Sequence, residues 1–131
     1  MIDKDSMYNT PPCWCIYILG LVLDWLESKG GVEGMEAIKH GKAQMLYDTI
    51  DSSRLFHCAV EKGSRSDMNV VFRTGSDELD AKFVSEATAA GFTNLKGHRS
   101  VGGMRASIYN AMPVEGVEKL CGFIKAFDKN N

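Results

Sequence analysis

The chain has 131 residues, a formal charge of −2 at pH 7, 44% apolar side chains, 24% charged and 9% aromatic. These fractions sit near the averages of soluble globular domains and exclude disorder, collagen and coiled coil. A net charge this close to zero speaks against a general nucleic-acid binder but leaves a local cationic site open.

The first predicted element is a helix opened by Thr10-Pro11-Pro12. A threonine can cap the free N–H groups of a first turn, and proline fits there because no donor is needed. The helix runs from Cys13 through Glu27 to a stop at Gly30-Gly31. Between Cys13 and Leu26 only Asp24 is charged, so apolar side chains ring the helix and demand cover on all sides. A chain this small supplies little of it, which predicts that part of the cover comes from elsewhere. The apolar run Cys13–Leu23 has 11 residues, too few for the ~20 that span a bilayer. With its acidic first residues and no short-residue cleavage site after the apolar run, no targeting segment is expected.

A second helix is predicted from Val32 to Ile50, with Val32, Met35, Ile38, Met45, Leu46 and Ile50 near one stripe. Glu33, Glu36, Lys39, His40 and Lys42 fall on its polar face. Phe56–Val60 and Met68–Arg73 read as short strands joined by a polar segment, 61–67. Ser76-Asp77 starts a third helix, with Leu79, Phe83, Ala87 and Ala90 at helical spacing and Gly91 as its stop. Phe92–Leu95 and Met104–Tyr109 read as further strands. Pro113 heads a last helix whose stripe is Val117, Leu120, Cys121, Ile124 and Phe127. This order predicts an α+β fold, a two-layer sandwich of a small, mainly antiparallel sheet with helices.

The four cysteines form no disulfide framework and read as reduced thiols of a cytoplasmic protein. On a helix, Cys13 and Cys15 point about 200° apart, so the pair makes a poor half-site for a metal, and none is predicted. His40 and His57 have no nucleophile or carboxylate at a meaningful spacing and read as structural or exposed.

Chemistry concentrates in one window. No acidic residue occurs from Ala87 to Pro113, a stretch that holds Lys96, His98, Arg99 and Arg105. Gly97, Gly102 and Gly103 let the backbone turn tightly and approach a ligand closely. The two arginines offer planar forks matched to paired carboxylate or phosphate oxygens, and His98 adds a donor. Solvated surface cations on a turn would explain any one of these arginines. The acid-free, glycine-threaded cluster points instead to a small-anion site. It is not a P-loop, because no Lys-Ser/Thr follows the second glycine. Aromatic side chains are too sparse there for a nucleic-acid patch. A second candidate is Asn9-Thr10, polar groups just ahead of a helix N-terminus, where an anion or simple capping would use them. Residues Arg65 to Asn69 read as the polar closure of a hairpin.

Met7-Tyr8-Asn9-Thr10-Pro11-Pro12, the Arg65-Ser66-x-Met68-Asn69-Val70 segment and the nineteen residues Leu95–Pro113 together resemble the phosphoserine aminotransferase family. These are class V, pyridoxal-phosphate-dependent aminotransferases. The resemblance covers nearly the whole chain but only the C-terminal third of such an enzyme. It implies the small domain of a type I pyridoxal-phosphate transferase fold, preceded by a long apolar linking helix. Residues 1–12 would then be the remnant of a large cofactor domain, 13–30 the linking helix and 31–131 the small domain. By similarity Asn9 and Thr10 contact the phosphate of pyridoxal 5′-phosphate, completing the neighbouring subunit's site in a homodimer. His98 and Arg99 resemble the residues that receive a substrate phosphate, and Arg105 the one that grips a substrate carboxylate.

The implied reaction moves an amino group from glutamate to 3-phosphohydroxypyruvate, giving 2-oxoglutarate and phosphoserine. A related phosphorylated four-carbon substrate of vitamin B6 synthesis fits the same pattern. No lysine of this sequence resembles the one that bonds the cofactor, so no catalytic residue is assigned and the chain alone is expected to be inactive. Two other readings are a stand-alone module for a small phosphorylated or dicarboxylic ligand, and a protein-interaction domain built on the apolar helix. No nucleic-acid or membrane partner is expected.

Overall fold

The structure, a computed structural model, describes residues 2–131. Its regular elements are α1 (Cys13–Ser28), α2 (Gly31–Asp51), β1 (Asn69–Phe72), α3 (Asp77–Ala89), β2 (Met104–Ser107) and α4 (Val114–Asn130). Single 3₁₀ turns occur at Ile2–Lys4 and Lys62–Ser64. The chain divides into two compact units, Met1–Glu36 and Ala37–Asn131.

In the first unit, α1 begins and ends where proline and glycine place it. Gly30 and Gly31 take φ of 90° and 67°, the left-handed region that terminates helices and suits a residue without Cβ. Its start corrects one expectation: Pro12 occupies the cap position and no side chain caps the first turn, so Thr10 is not a cap. No residue of α1 is buried. Trp14 is 73% exposed, and Ile16, Tyr17, Leu19 and Leu23 are all more than half exposed.

The second unit carries the core. Val70 and Phe72 of β1 and Met104 and Ala106 of β2 point one way, as the two-residue strand period requires. They meet Ala43, Leu46 and Ile50 of α2, Phe83 and Ala87 of α3, and Val117, Leu120, Ile124 and Phe127 of α4. Phe83 lies at the centre, with the rings of Phe56 and Phe127 edge-on at 5.0 and 5.1 Å. Edge-on rings place the positive rim of one on the negative face of the other, adding about 0.5–1.5 kcal/mol per pair to their burial. β1 and β2 pair antiparallel, with Val71 opposite Arg105. The arginine is therefore on the face of the sheet away from the core.

The helices form as their sequence signals require. Ser76 caps α3, its hydroxyl accepting from the Leu79 N–H, and Pro113 stands at the cap of α4. The sheet is smaller than expected. Phe56–Val60 and Phe92–Leu95 are not strands; the first holds a single bridge, His57 to Arg73, and the second is followed by one, Lys96 to Met104. At the head of the first segment the N–H groups go elsewhere: Leu55, just before it, donates to Asp128 Oδ1 at 2.8 Å and Phe56 to Ser53 Oγ at 2.9 Å. In the second, Phe92 donates back to Ala87 O of α3, and Asn94 turns left-handed at φ 60°. The last strand ends at Ser107, two residues short of its expected end.

Two assignments within α2 change as well. Val32 and Ile38 are exposed. Lys42, expected on the polar face, is only 1% exposed. Its ammonium donates to the carbonyl oxygens of Tyr109 at 2.8 Å and Met112 at 2.9 Å, with Asn110 O at 3.4 Å. Burial pushes this amine below the usual lysine range. His40 also has a partner: its Nδ1 lies 3.4 Å from Asp67 Oδ2, a carboxylate 27 residues away that spacing could not indicate.

Candidate functional site

Leu95–Gly97 and Gly103–Arg105 run side by side as a narrow hairpin. Arg105 N donates to Leu95 O at 2.8 Å and Gly97 N to Gly103 O at 2.8 Å. Across the tip, Val101 N and Gly102 N both donate to His98 O, at 2.9 and 2.8 Å. Two of the glycines are sterically required. A Cβ on Gly97 would lie 2.1 Å from Gly102 O, and one on Gly103 would lie 2.9 Å from both Arg73 Cβ and Phe72 O. Gly102 and Gly103 also have φ of 75° and 64°. These close approaches set the tip that displays His98, Arg99, Ser100 and Val101, all exposed.

The hairpin borders two clefts. The larger, about 500 Å³, lies between the tip and the N-terminal half of α3; Lys96, His98 and Arg99 line it opposite Asp77 and Asp80. The smaller, about 100 Å³, lies over the outer face of the sheet, where Arg105, Val71 and Arg73 meet His98 and Val101. Arg99 and Arg105 thus line different clefts, and His98 borders both. On the same outer face Asn69 Oδ1 accepts from Ser107 Oγ at 3.1 Å and from Tyr109 Oη at 3.4 Å.

Arg73, Asp77 and Asp80 were not singled out in the sequence. Asp77 reads only as part of a helix start and Arg73 as the end of a strand, and Asp80 carries no signal of its own. They form one lock. Asp80 Oδ1 accepts from the Thr74 N–H at 2.7 Å and its hydroxyl at 2.8 Å, while Arg73 reaches Asp77 at 2.8 Å and Asp80 at 3.5 Å. The carboxylates that line the larger cleft are therefore already engaged. Among the described residues, Lys96, Arg99 and Arg105 have no carboxylate within 4.0 Å. Cations without carboxylate partners are suited to charge-assisted bonds with an incoming anion, each contributing about 1.5–3 kcal/mol.

Asn9 and Thr10 lie ahead of α1 in the other unit. Both are exposed, and neither side chain makes a hydrogen bond among the described residues. Their amide and hydroxyl are open to a phosphate oxygen. The remaining candidates serve the fold. Arg65 grips Asp51 with two nitrogens at 2.7 Å and lies 4.6 Å above the Tyr47 ring, and Ser66 Oγ accepts from the N–H groups of Met68 and Asn69. Cys13 and Cys15 are free and exposed on α1. No helix among the described residues is long and apolar enough to cross a membrane.

A small α+β domain with such a hairpin matches one class of protein. The sequence profile of aminotransferase class-V fits residues 1–120, and the chain belongs to that family. Its relatives narrow the comparison to one enzyme. It is 57% identical over 125 residues to a phosphoserine aminotransferase of Listeria monocytogenes, covering 95% of this chain and 34% of the relative. It is 57% identical over 132 residues to one from Lactococcus lactis subsp. cremoris, covering 100% of this chain and 36% of the relative. The solved structure of phosphoserine aminotransferase from Bacillus circulans subsp. alkalophilus superposes with a TM-score of 0.94 at 47% identity, over 98% of this chain and 36% of that one. A pyridoxal-phosphate-bound phosphoserine aminotransferase from Trichomonas vaginalis gives 0.86 at 40% identity, over 95% and 36% of the two chains. The chain spans about a third of the length of the curated relatives it matches.

Proposed function

We propose that these residues are the C-terminal part of a phosphoserine aminotransferase, which exchanges an amino group between glutamate and 3-phosphohydroxypyruvate in serine biosynthesis in the cytoplasm. Residues 1–12 belong to the large cofactor domain, 13–30 link it to the small domain, and 31–131 are that domain. The rest of the enzyme lies outside this sequence and brings the lysine that bonds the cofactor. Pyridoxal phosphate, when bound, is the electron sink of the reaction.

The chain's own residues position charge. His98 and Arg99 donate to the substrate phosphate, and Arg105 pairs with the substrate carboxylate, so that the reacting carbon is held in one place. Asn9 and Thr10 donate to the cofactor phosphate of the neighbouring subunit in a homodimer, so each site needs both chains. The apolar surface of α1 is covered by the large domain and the second copy, because patches of several hundred Å² are rarely left in water.

Lys96, Arg99 and Arg105 carry this assignment: they flank one glycine hairpin without carboxylate partners, while the acids beside them are bound by Thr74 and Arg73. Calorimetric titration of the chain with phosphoserine and with glutamate tests it. Arg99→Ala weakens phosphoserine by about 10- to 100-fold, the loss of one charge-assisted contact, and more than Arg105→Ala does. Equal losses for both ligands in both variants overturn the division of roles. Turnover of glutamate plus phosphohydroxypyruvate by the chain alone overturns the need for the outside lysine.

A further inference from the structure

Ser100 is bonded to the histidine two residues before it through both its main chain and its side chain. Its hydroxyl lies 2.7 Å from His98 Nδ1, and its backbone N–H donates to the same nitrogen at 3.3 Å. A backbone amide can only donate, so Nδ1 must offer its lone pair. In a neutral imidazole the single ring proton is then on Nε2. The hydroxyl, beside that same lone pair, donates to it as well. The turn brings the two residues together, because Val101 N and Gly102 N fold back onto His98 O.

We propose that Ser100 is a positioning residue that fixes His98 as the Nε2–H tautomer, so that the ring presents a donor to the clefts it borders. Without the 2.7 Å hydroxyl contact the ring keeps only the longer 3.3 Å backbone donor to select its tautomer, and the Nδ1–H form would direct a lone pair, not a proton, at an anion. Ser100 therefore acts through His98, with its own hydroxyl turned inward to Nδ1. The donor it sets up serves a phosphate oxygen, a use that rests on the function proposed above.

The test is imidazole ¹⁵N NMR of the full chain. In the wild type, Nδ1 of His98 resonates as an unprotonated, pyridine-type nitrogen and Nε2 as a protonated, pyrrole-type one. In Ser100→Ala only the longer 3.3 Å backbone contact to Nδ1 remains, so the two resonances move towards each other as the tautomers mix, and Ser100→Thr, which keeps the hydroxyl, restores the wild-type pattern. Inorganic phosphate binds Ser100→Ala about three- to tenfold more weakly, the scale of one neutral hydrogen bond. An Ala variant with the wild-type nitrogen pattern, or a wild type with its proton on Nδ1, overturns the proposal. Failure of wild-type chain to bind phosphate while the nitrogen pattern holds would instead overturn the proposed function, leaving the role of Ser100 on the ring intact.

Discussion

The ammonium of Lys42 is buried against the carbonyl oxygen of Tyr109, 2.8 Å away and 67 residues along the chain. With Met112 O as a second close acceptor, it ties α2 to the turn that joins β2 to α4. The strand that carries Arg105 is thereby anchored at its far end.

Removing that amine leaves buried carbonyls without a donor, and each orphaned acceptor costs about 1–3 kcal/mol. Lys42→Met, which keeps the length and apolar stem, should lower stability by about 3 kcal/mol. A urea titration reads this directly. An unchanged midpoint would mean that water replaces the ammonium at no cost.

Acid should weaken the second unit. The Arg65 guanidinium, hydrogen-bonded to Asp51, holds its carboxyl below the usual aspartate range. Burial pushes Asp128 upward, but the N–H groups of Leu55 and Arg54 and the Ser53 hydroxyl outweigh it, and the net direction is also down. A folded value below the unfolded one, ~3.9, means these groups contribute fully above that pH. Their contribution is lost as pH falls through the folded values. Unfolding midpoints measured from pH 6 to pH 2 should therefore drop, and less steeply in Asp51→Asn. Parallel curves for the two proteins would exclude the Asp51 contribution.

Gly97→Ala is the sharpest test of the hairpin. Its Cβ would meet Gly102 O at 2.1 Å, a backbone atom that cannot swing aside as a side chain would. The two strands of the hairpin must separate, at a cost of about 1–3 kcal/mol. Phosphoserine binding should be lost while the helical circular dichroism is retained. Gly63→Ala, where a Cβ meets nothing within 4 Å, is the control.

The apolar side chains of α1 should make the isolated chain self-associate. Sedimentation at rising concentration should show dimers or larger species, and Leu19→Lys, at a 57% exposed position, should reduce them. A monomer at every concentration would contradict this.

Much of this architecture could be read from the amino acids because its signals are local. The Ser76 cap, the Pro113 start and the five-residue stripe of α4 are each visible within a few turns of chain, and all recur in the fold. The cationic hairpin was legible for the same reason: glycines and arginines lie within eleven residues of sequence. What stayed hidden depends on distant partners. Phe56 and Leu95 are buried as strand residues would be, yet the N–H groups of Leu55 and Phe92 bond to Asp128 and to Ala87. Short apolar runs cannot reveal that choice. Lys42 looked like surface because its three carbonyl acceptors lie beyond residue 108. The acids lining the larger cleft come from α3, which no inspection of residues 87–113 could supply.

The rungs of the glycine hairpin are all main-chain bonds, from Leu95 O and Gly103 O to the doubly used His98 O. Its outline is therefore indifferent to the side chains at positions 99 and 101, which reach outward without bracing it. Such a frame allows ligand preference to be rewritten by exchanging those outward groups, as a tool handle accepts different heads. An engineer wishing to retarget this domain should begin there and leave the glycines alone.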